Sequence, residues 1–118
     1  MVQAIRGAIT VEENNAEAIY QATQEMLLEL IDKNQLDQTE IISALFTVTP
    51  DLNAAFPATG ARTIGWTDIP MVCAQEIPVP GALPLCIRVL IYINGQDKKV
   101  RHIYLREAAK LRPDLINH

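Results

Sequence analysis

The run from Cys86 to Asn94 constrains the fold more than any other stretch of this sequence, because it is apolar apart from Arg88 and the closing Asn94. Its β-branched residues recur at every second position, which predicts a strand. The run Ile41–Val48 is also apolar and β-branched, and Pro50 ends it. Because apolar residues lie on both faces of each run, we predict that both are central strands of a sheet.

One more strand and a long helix are predicted in the first half of the chain. Val2–Ile9 alternates as a strand does, with Arg6 at its middle. Asn14, followed three residues later by Glu17, resembles a helix-capping box. Apolar residues then recur at spacings of three and four over residues 16–31, which predicts an amphipathic helix.

The second half is more irregular. We predict short helical turns within Asp51–Arg62, a strand at Pro70–Ala74 and a final short helix at Glu107–Leu111. The dipeptide Asn94-Gly95 favours a tight turn, so Val100–Leu105 is expected to return as a hairpin partner. This order predicts an α+β fold with a mixed five-stranded sheet. One long helix covers only one face of such a sheet, so we expect a second copy of the chain to cover the other.

Length and composition limit the class of protein. The 118 residues predict a single domain, 1–118, and 49% hydrophobic with 20% charged residues excludes a disordered chain. Two cysteines are too few for a disulfide scaffold, and a net charge of −4 argues against nucleic-acid binding. No apolar run reaches the roughly 20 residues of a membrane helix, and the start lacks a signal-peptide pattern. We therefore expect a soluble, cytoplasmic protein.

The charges are distributed unevenly. Residues 1–60 hold two basic and nine acidic residues, a net −7, whereas residues 61–118 hold eight basic and five acidic residues, a net +3. Six of the ten basic residues are arginine, which binds carboxylates and phosphates through two parallel hydrogen bonds. An anionic small molecule is one explanation of this pattern, and an ordinary solvated surface is the other.

Arg88 is the most informative single residue. A guanidinium within a buried strand needs a negative partner, because burial of an unpaired charge is costly. That partner is either a structural carboxylate, Glu76 or Asp51, or the anion of a ligand. Arg6 favours the ligand, since it is a second arginine in the middle of an apolar strand.

Other catalytic arrangements find little support. Cys73 and Cys86 are 13 positions apart without a C-x-x-C pair, so a zinc site is not expected. Cys73 and His102 could form a nucleophile pair, but an ordinary strand histidine is the favoured explanation of His102. No nucleophile elbow, phosphate-binding loop or dinucleotide motif is present, and we predict no cofactor.

Seven segments in the same order resemble the monofunctional chorismate mutases of the Bacillus type, and the resemblance runs from end to end. They are Ile5-Arg6-Gly7-Ala8, Thr49-Pro50-Asp51-Leu52, Phe56-Pro57-Ala58, Cys73-Ala74-Gln75-Glu76, Cys86-Ile87-Arg88-Val89, His102-Ile103-Tyr104-Leu105 and Leu111-Arg112-Pro113-Asp114-Leu115. The resemblance implies a homotrimer with a pseudo-α/β-barrel centre and active sites between subunits. It also implies the cofactor-free [3,3] rearrangement of chorismate to prephenate, in aromatic amino acid biosynthesis.

The resemblance also implies roles for individual residues. Arg6, helped by Tyr104, would hold the enolpyruvyl carboxylate, and Arg88 would lie beside the ether oxygen. Glu76 and Cys73 would bind the ring hydroxyl. The residues implied to line or close the cleft, some from the adjacent chain, are Phe56, Ala58, Arg62, Met71, Val72, Leu111 and Arg112. The chain departs from its relatives at Thr59, where they can carry a lysine.

Two other functions fit the same architecture. The trimeric imine deaminases also bind a carboxylate with an interface arginine, but they give no reason for the segment Cys73-Ala74-Gln75-Glu76. A non-catalytic trimeric sensor of aromatic-pathway acids is the second alternative. Loss of Arg88 would mark such a sensor, and Arg88 is present.

Overall fold

The computed structural model describes residues 1–111, and these form a five-stranded mixed sheet with two α-helices. The strands are β1 (Val2–Thr10), β2 (Ile41–Val48), β3 (Met71–Gln75), β4 (Cys86–Asn94) and β5 (Ile103–Leu105). The helices are α1 (Ala16–Asn34) and α2 (Pro57–Thr63), with 3₁₀ turns at Gln38–Glu40 and Arg106–Lys110. The predicted α+β class is confirmed. None of the described helices is long and apolar enough to span a membrane.

The strand order is β3-β2-β4-β1-β5. The three inner strands run antiparallel to their inner neighbours, whereas β3 is parallel to β2 and β5 is parallel to β1. The two strands predicted to be central, β2 and β4, each have a neighbour on both sides. The prediction that both are central strands is confirmed.

Helix α1 packs on one face of the sheet, which we call the covered face. Alternate side chains of β1, β2 and β4 point into this core, among them Ile5, Phe46 and Ile91, all fully buried. Gly7 lies where α1 comes nearest to the sheet: a Cβ there would be 3.2 Å from Leu30 Cδ1 and 3.1 Å from Val89 Cγ1. A Cβ at Gly7 would therefore require these side chains to shift by a few tenths of an ångström.

The predicted hairpin between β4 and β5 is wrong. β5 pairs with β1, in parallel, because β2 and β1 already occupy both edges of β4. The connection crosses to the far side of β1 and is held by two side-chain amides. Gln3 Nε2 donates to Lys98 O at 2.6 Å, and Asn34 Oδ1 accepts from Arg101 N at 2.7 Å.

The start of α1 differs by one residue from the sequence prediction. Asn15, not Asn14, is the N-cap, and its side chain accepts from Ala18 N. Asn14 Oδ1 instead accepts from the backbone N–H groups of Asn53 and Ala54, at 3.1 Å each. Asn14 therefore ties the start of α1 to the segment that leads into α2.

Candidate active site

The sheet face away from α1, which we call the open face, contains a cavity of about 310 Å³. Four of the predicted site residues line it: Arg6, Arg88, Tyr104 and Leu111. Its floor is made by small and apolar side chains of the inner strands together with one hydroxyl, namely Ala8, Leu45, Thr47 and Leu90. The cavity thus combines two positively charged side chains with a largely apolar floor.

Strand register brings the two arginines together. Ala8 of β1 is opposite Arg88 of β4, and on its other side it is opposite Tyr104 of β5. Arg6 is opposite Leu90, so Arg6 and Arg88 are diagonal neighbours on one face. Diagonal neighbours across an antiparallel pair are about 7–8 Å apart, a span that a small molecule with two anionic groups can bridge.

The expectation that Arg88 is buried is wrong for the single chain. Its side chain is 45% exposed, because it points to the open face while α1 covers the other. The apolar residues on both faces of β4 indicated burial, but α1 covers only one of these faces.

Glu76 is the carboxylate that meets Arg88. Arg88 Nε lies 3.1 Å from Glu76 Oε2, and Thr47 Oγ1 donates to the same oxygen at 2.7 Å. Glu76 N donates to Val48 O at 2.9 Å, which fixes the residue just beyond the end of β3. Asp51, the other candidate partner, accepts instead from the backbone N–H of Leu85.

Arg6 is held differently from Arg88. Its backbone N–H donates to Nδ1 of His102 at 3.0 Å, while its side chain is exposed at the cavity. Within residues 1–111, no carboxylate lies within ion-pair distance of the Arg6 guanidinium. The cavity region therefore holds two guanidinium groups and one carboxylate, a balance that favours an anionic ligand.

The remaining predicted residues lie away from this cavity. Phe56 and Cys73 line a second cavity, of about 430 Å³, between β3 and the start of α2. Val72 is 64% exposed on the open face, Met71 packs against the core, and Ala58 is buried. Arg62, on the exposed side of α2, donates to Thr59 Oγ1 at 3.3 Å, and Arg112 lies outside the described residues.

The thiols do not support nucleophilic catalysis in one chain. Cys73 is on β3 and His102 precedes β5, the two edge strands, which are about 19 Å apart at the usual strand spacing. Cys86 is fully buried, and burial raises the pKa of its thiol to about 11. A thiol with so high a pKa stays protonated near neutrality.

Sequence reasoning missed Thr47, the hydroxyl that binds Glu76. The same argument that selected Arg88 could have found it, since Thr47 is a polar residue inside the apolar run Ile41–Val48. Leu45 and Leu90 were also missed as lining residues. The sequence does not distinguish them, because an apolar residue on a strand can lie on either face of the sheet.

Two arginines and a tyrosine line this cavity of an α+β protein, and a carboxylate contacts one of the arginines, an arrangement whose charge suits a compact anion. The family model described as chorismate mutase type I matches residues 2–115. The chorismate mutase AroH of Thermus thermophilus is 54% identical, over 98% of this chain and 97% of the relative.

The chorismate mutase AroH of Bacillus subtilis is 40% identical, over 98% of this chain and 93% of the relative. A solved chorismate mutase from Clostridium thermocellum superposes with a TM-score of 0.89 at 48% identity, over 92% of this chain and 98% of that one. The chain belongs to the type I chorismate mutase family. It is an isomerase that converts chorismate to prephenate by a [3,3] rearrangement, a step of aromatic amino acid biosynthesis.

Proposed function

We propose that the cavity on the open face is where chorismate rearranges, and that the protein acts there by placing charge. The observation that carries this proposal is the diagonal pairing of Arg6 and Arg88 beside Glu76. Chorismate carries two carboxylates, an ether oxygen and a ring hydroxyl. These groups match two guanidiniums and one carboxylate better than they match any nucleophile or general base among residues 1–111.

Arg6 and Tyr104 bind the enolpyruvyl carboxylate. Both line the cavity, and their strands are adjacent, with Ala8 of β1 opposite Tyr104. A guanidinium and a phenol can donate to the two oxygens of one carboxylate. This binding holds the enolpyruvyl group over the ring, so that much of the entropy of reaching the reactive shape is lost on binding.

Arg88 acts on the transition state. As the ether carbon–oxygen bond breaks and the new carbon–carbon bond forms, negative charge grows on the ether oxygen. A guanidinium aimed at that oxygen stabilises the transition state more than the substrate, which raises kcat. The ion pair with Glu76 supports this role, because it fixes the direction of the Arg88 side chain before substrate arrives.

Glu76 accepts a hydrogen bond from the ring hydroxyl and faces the positive charge that develops on the ring. Its hydrogen bond from Thr47 and its contact with Arg88 hold the carboxylate beside two side chains that line the cavity. No proton has to move and no covalent intermediate forms. The reaction needs no cofactor in this scheme.

A homotrimer completes the site. In the single chain the open face exposes Val72 and Tyr92, and a face of this kind is stabilised by a second copy. The residues at β3 and α2, namely Phe56, Ala58, Arg62, Met71, Val72 and Cys73, then belong to the rim that the adjacent chain contributes. Leu111, which lines the cavity, closes the cleft from the chain that carries Arg88. Two free thiols among the described residues fit a reducing, cytoplasmic location.

Arg88 variants test this assignment. Removing one donor aimed at developing negative charge typically lowers kcat by about 10² to 10³, so Arg88→Ala should lose at least that much. An ion pair this exposed contributes about 0–1 kcal/mol, so the melting temperature should change little. Arg88→Lys keeps the charge but not the planar guanidinium, and should recover only part of kcat.

The measurement is kcat and KM from the loss of chorismate absorbance, with the melting temperature of each variant. Arg101→Ala is the matched control, since Arg101 has an exposed side chain outside the cavity. A folded Arg88→Ala protein within tenfold of the parent kcat would rule out the role given to Arg88.

A further inference from the structure

Asp51 holds the residue at which the chain enters β4. Both of its carboxylate oxygens accept from Leu85 N, at 3.1 and 3.0 Å. Thr49 Oγ1 donates to Asp51 Oδ1 at 2.5 Å and accepts from Cys86 N at 2.9 Å. Thr49 N donates to Cys86 O at 3.1 Å. The turn at residues 49–52 therefore forms several hydrogen bonds with the start of β4.

Leu85 needs this support because its backbone is in the left-handed region, with φ at +51°. A residue with a Cβ is disfavoured there and keeps such a conformation only when its surroundings hold it. Asp51 supplies the acceptor for Leu85 N, and Val11 N donates to Leu85 O at 2.7 Å. The chain direction at the start of β4 therefore depends on these two contacts.

The turn at residues 49–52 also lies between the two ends of the loop that joins Glu76 to β4. Val48, just before the turn, holds Glu76 through its carbonyl, and Asp51 holds Leu85 at the other end. Arg88 follows Leu85 by three residues. One short segment thus contacts both Glu76 and the start of the strand that carries Arg88.

We propose that Asp51 is a positioning residue for Arg88, acting through the backbone of Leu85. Asp51 does not line the cavity that holds Arg88. It lines another cavity, of about 230 Å³, together with Glu76 and Pro78. The inference rests on the proposed catalytic role of Arg88, and it extends the catalytic machinery to a carboxylate that never touches substrate.

The first test compares Asp51→Ala with Asp51→Asn by kcat, KM and melting temperature. A displacement of about 1 Å at a catalytic group can lower the rate by about 10²-fold, so Asp51→Ala should lower kcat between tenfold and a hundredfold. KM should change little. Asp51→Asn keeps an oxygen for Leu85 N and should stay within about threefold of the parent.

Asp68→Ala, at an exposed aspartate outside the turn and both cavities, is the matched control. The inference is overturned if folded Asp51→Ala keeps kcat within threefold of the parent. It is also overturned if Asp51→Asn loses as much as Asp51→Ala, since the charge rather than the hydrogen bond would then be what matters.

A double-mutant cycle with Arg88→Ala separates positioning from general damage. If Asp51 acts through Arg88, Asp51→Ala should lower kcat less than twofold in the Arg88→Ala background, because the effects of substitutions at coupled residues are not additive. An equal loss in both backgrounds would overturn the inference. Arg88→Ala alone reports on the proposed function, so a failure of either idea is seen separately.

Thr49 provides a second route if Asp51→Ala does not fold. Thr49→Val removes the hydroxyl that links Asp51 to Cys86, whereas Thr49→Ser keeps it. We expect Thr49→Val to lower kcat about as much as Asp51→Ala and Thr49→Ser to resemble the parent. Parent-like kcat in Thr49→Val would count against the proposal.

Discussion

The two faces of the sheet use the same strands for different purposes. On β4, Val89 and Ile91 point to the covered face and are buried under α1, while Arg88 and Leu90 point to the open face and line the cavity. Side chains alternate along a strand, so each strand can contribute to a core and to a binding site at once. Burial on the covered face stabilises the strands, and this leaves the open face available for charge.

This difference can be tested first on the open face, where a substitution is expected to have the largest effect on assembly and activity. Tyr92 is 43% exposed there in the single chain. Tyr92→Glu would bury an unpaired carboxylate if a second copy covers this face, so the trimer should fail to form and activity should be lost with it. Sedimentation together with the chorismate assay measures both.

Tyr92→Phe is the matched control and should remain trimeric and active. A Tyr92→Glu trimer of normal stability would show that the open face is not the interface. A fully active Tyr92→Glu monomer would show that one chain completes the site alone.

On the covered side, two adjacent leucines of α1 provide the sharpest comparison. Leu27 is fully buried and Leu28 is 54% exposed. Leu27→Ala leaves a cavity and should lower the free energy of unfolding by about 2–5 kcal/mol. Leu28→Ala should change it by about 0.5 kcal/mol or less. Chemical denaturation measures both, and equal effects would contradict the assignment of α1 faces.

A smaller effect is expected at Cys86, which lies at the buried end of the open face with Ala8 and Ala108. Burial raises the pKa of this thiol from 9.0 to about 11. The unfolded chain therefore loses this proton at a lower pH than the folded chain, and stability should fall as pH rises from about 9 to about 11.

Cys86→Ala lacks this titration. The parent should therefore lose stability relative to Cys86→Ala as pH rises over that range. Denaturation at pH 8, 9.5 and 11 checks the expectation, and a pH-independent difference would refute it.

The smallest expected effect is that of pH on turnover. The proposed chemistry uses no general acid or base, and arginine stays protonated throughout, so kcat should be nearly flat from about pH 5 to 9. The pH profile of kcat at saturating chorismate is the measurement. A bell-shaped profile centred near neutrality would instead favour acid–base or nucleophilic chemistry, with Cys73 and His102 as the groups to examine.

Local pattern predicted most of the elements. Regular spacing of apolar residues distinguishes strands and helices from loops, and this made four elements predictable: β1, β2, β4 and α1. The ordered motifs also identified the family, since they extend over nearly the whole chain. Within the site, the sequence predicted a negative partner for Arg88 but left open whether it is a carboxylate, Glu76 or Asp51, or the anion of a ligand; in the single chain Glu76 is in contact with Arg88.

Only the tertiary structure decided which strand edges and faces were still available. β5 joined β1 because β4 had no edge left, which no local turn signal encodes. Arg88 is exposed because α1 covers the other face, although the sequence of β4 reads alike on both. Asp51 bonds to Leu85 rather than to Arg88, because the path of a loop depends on long-range contacts. Residue type and period are local quantities, whereas strand order and coverage depend on the whole packed chain.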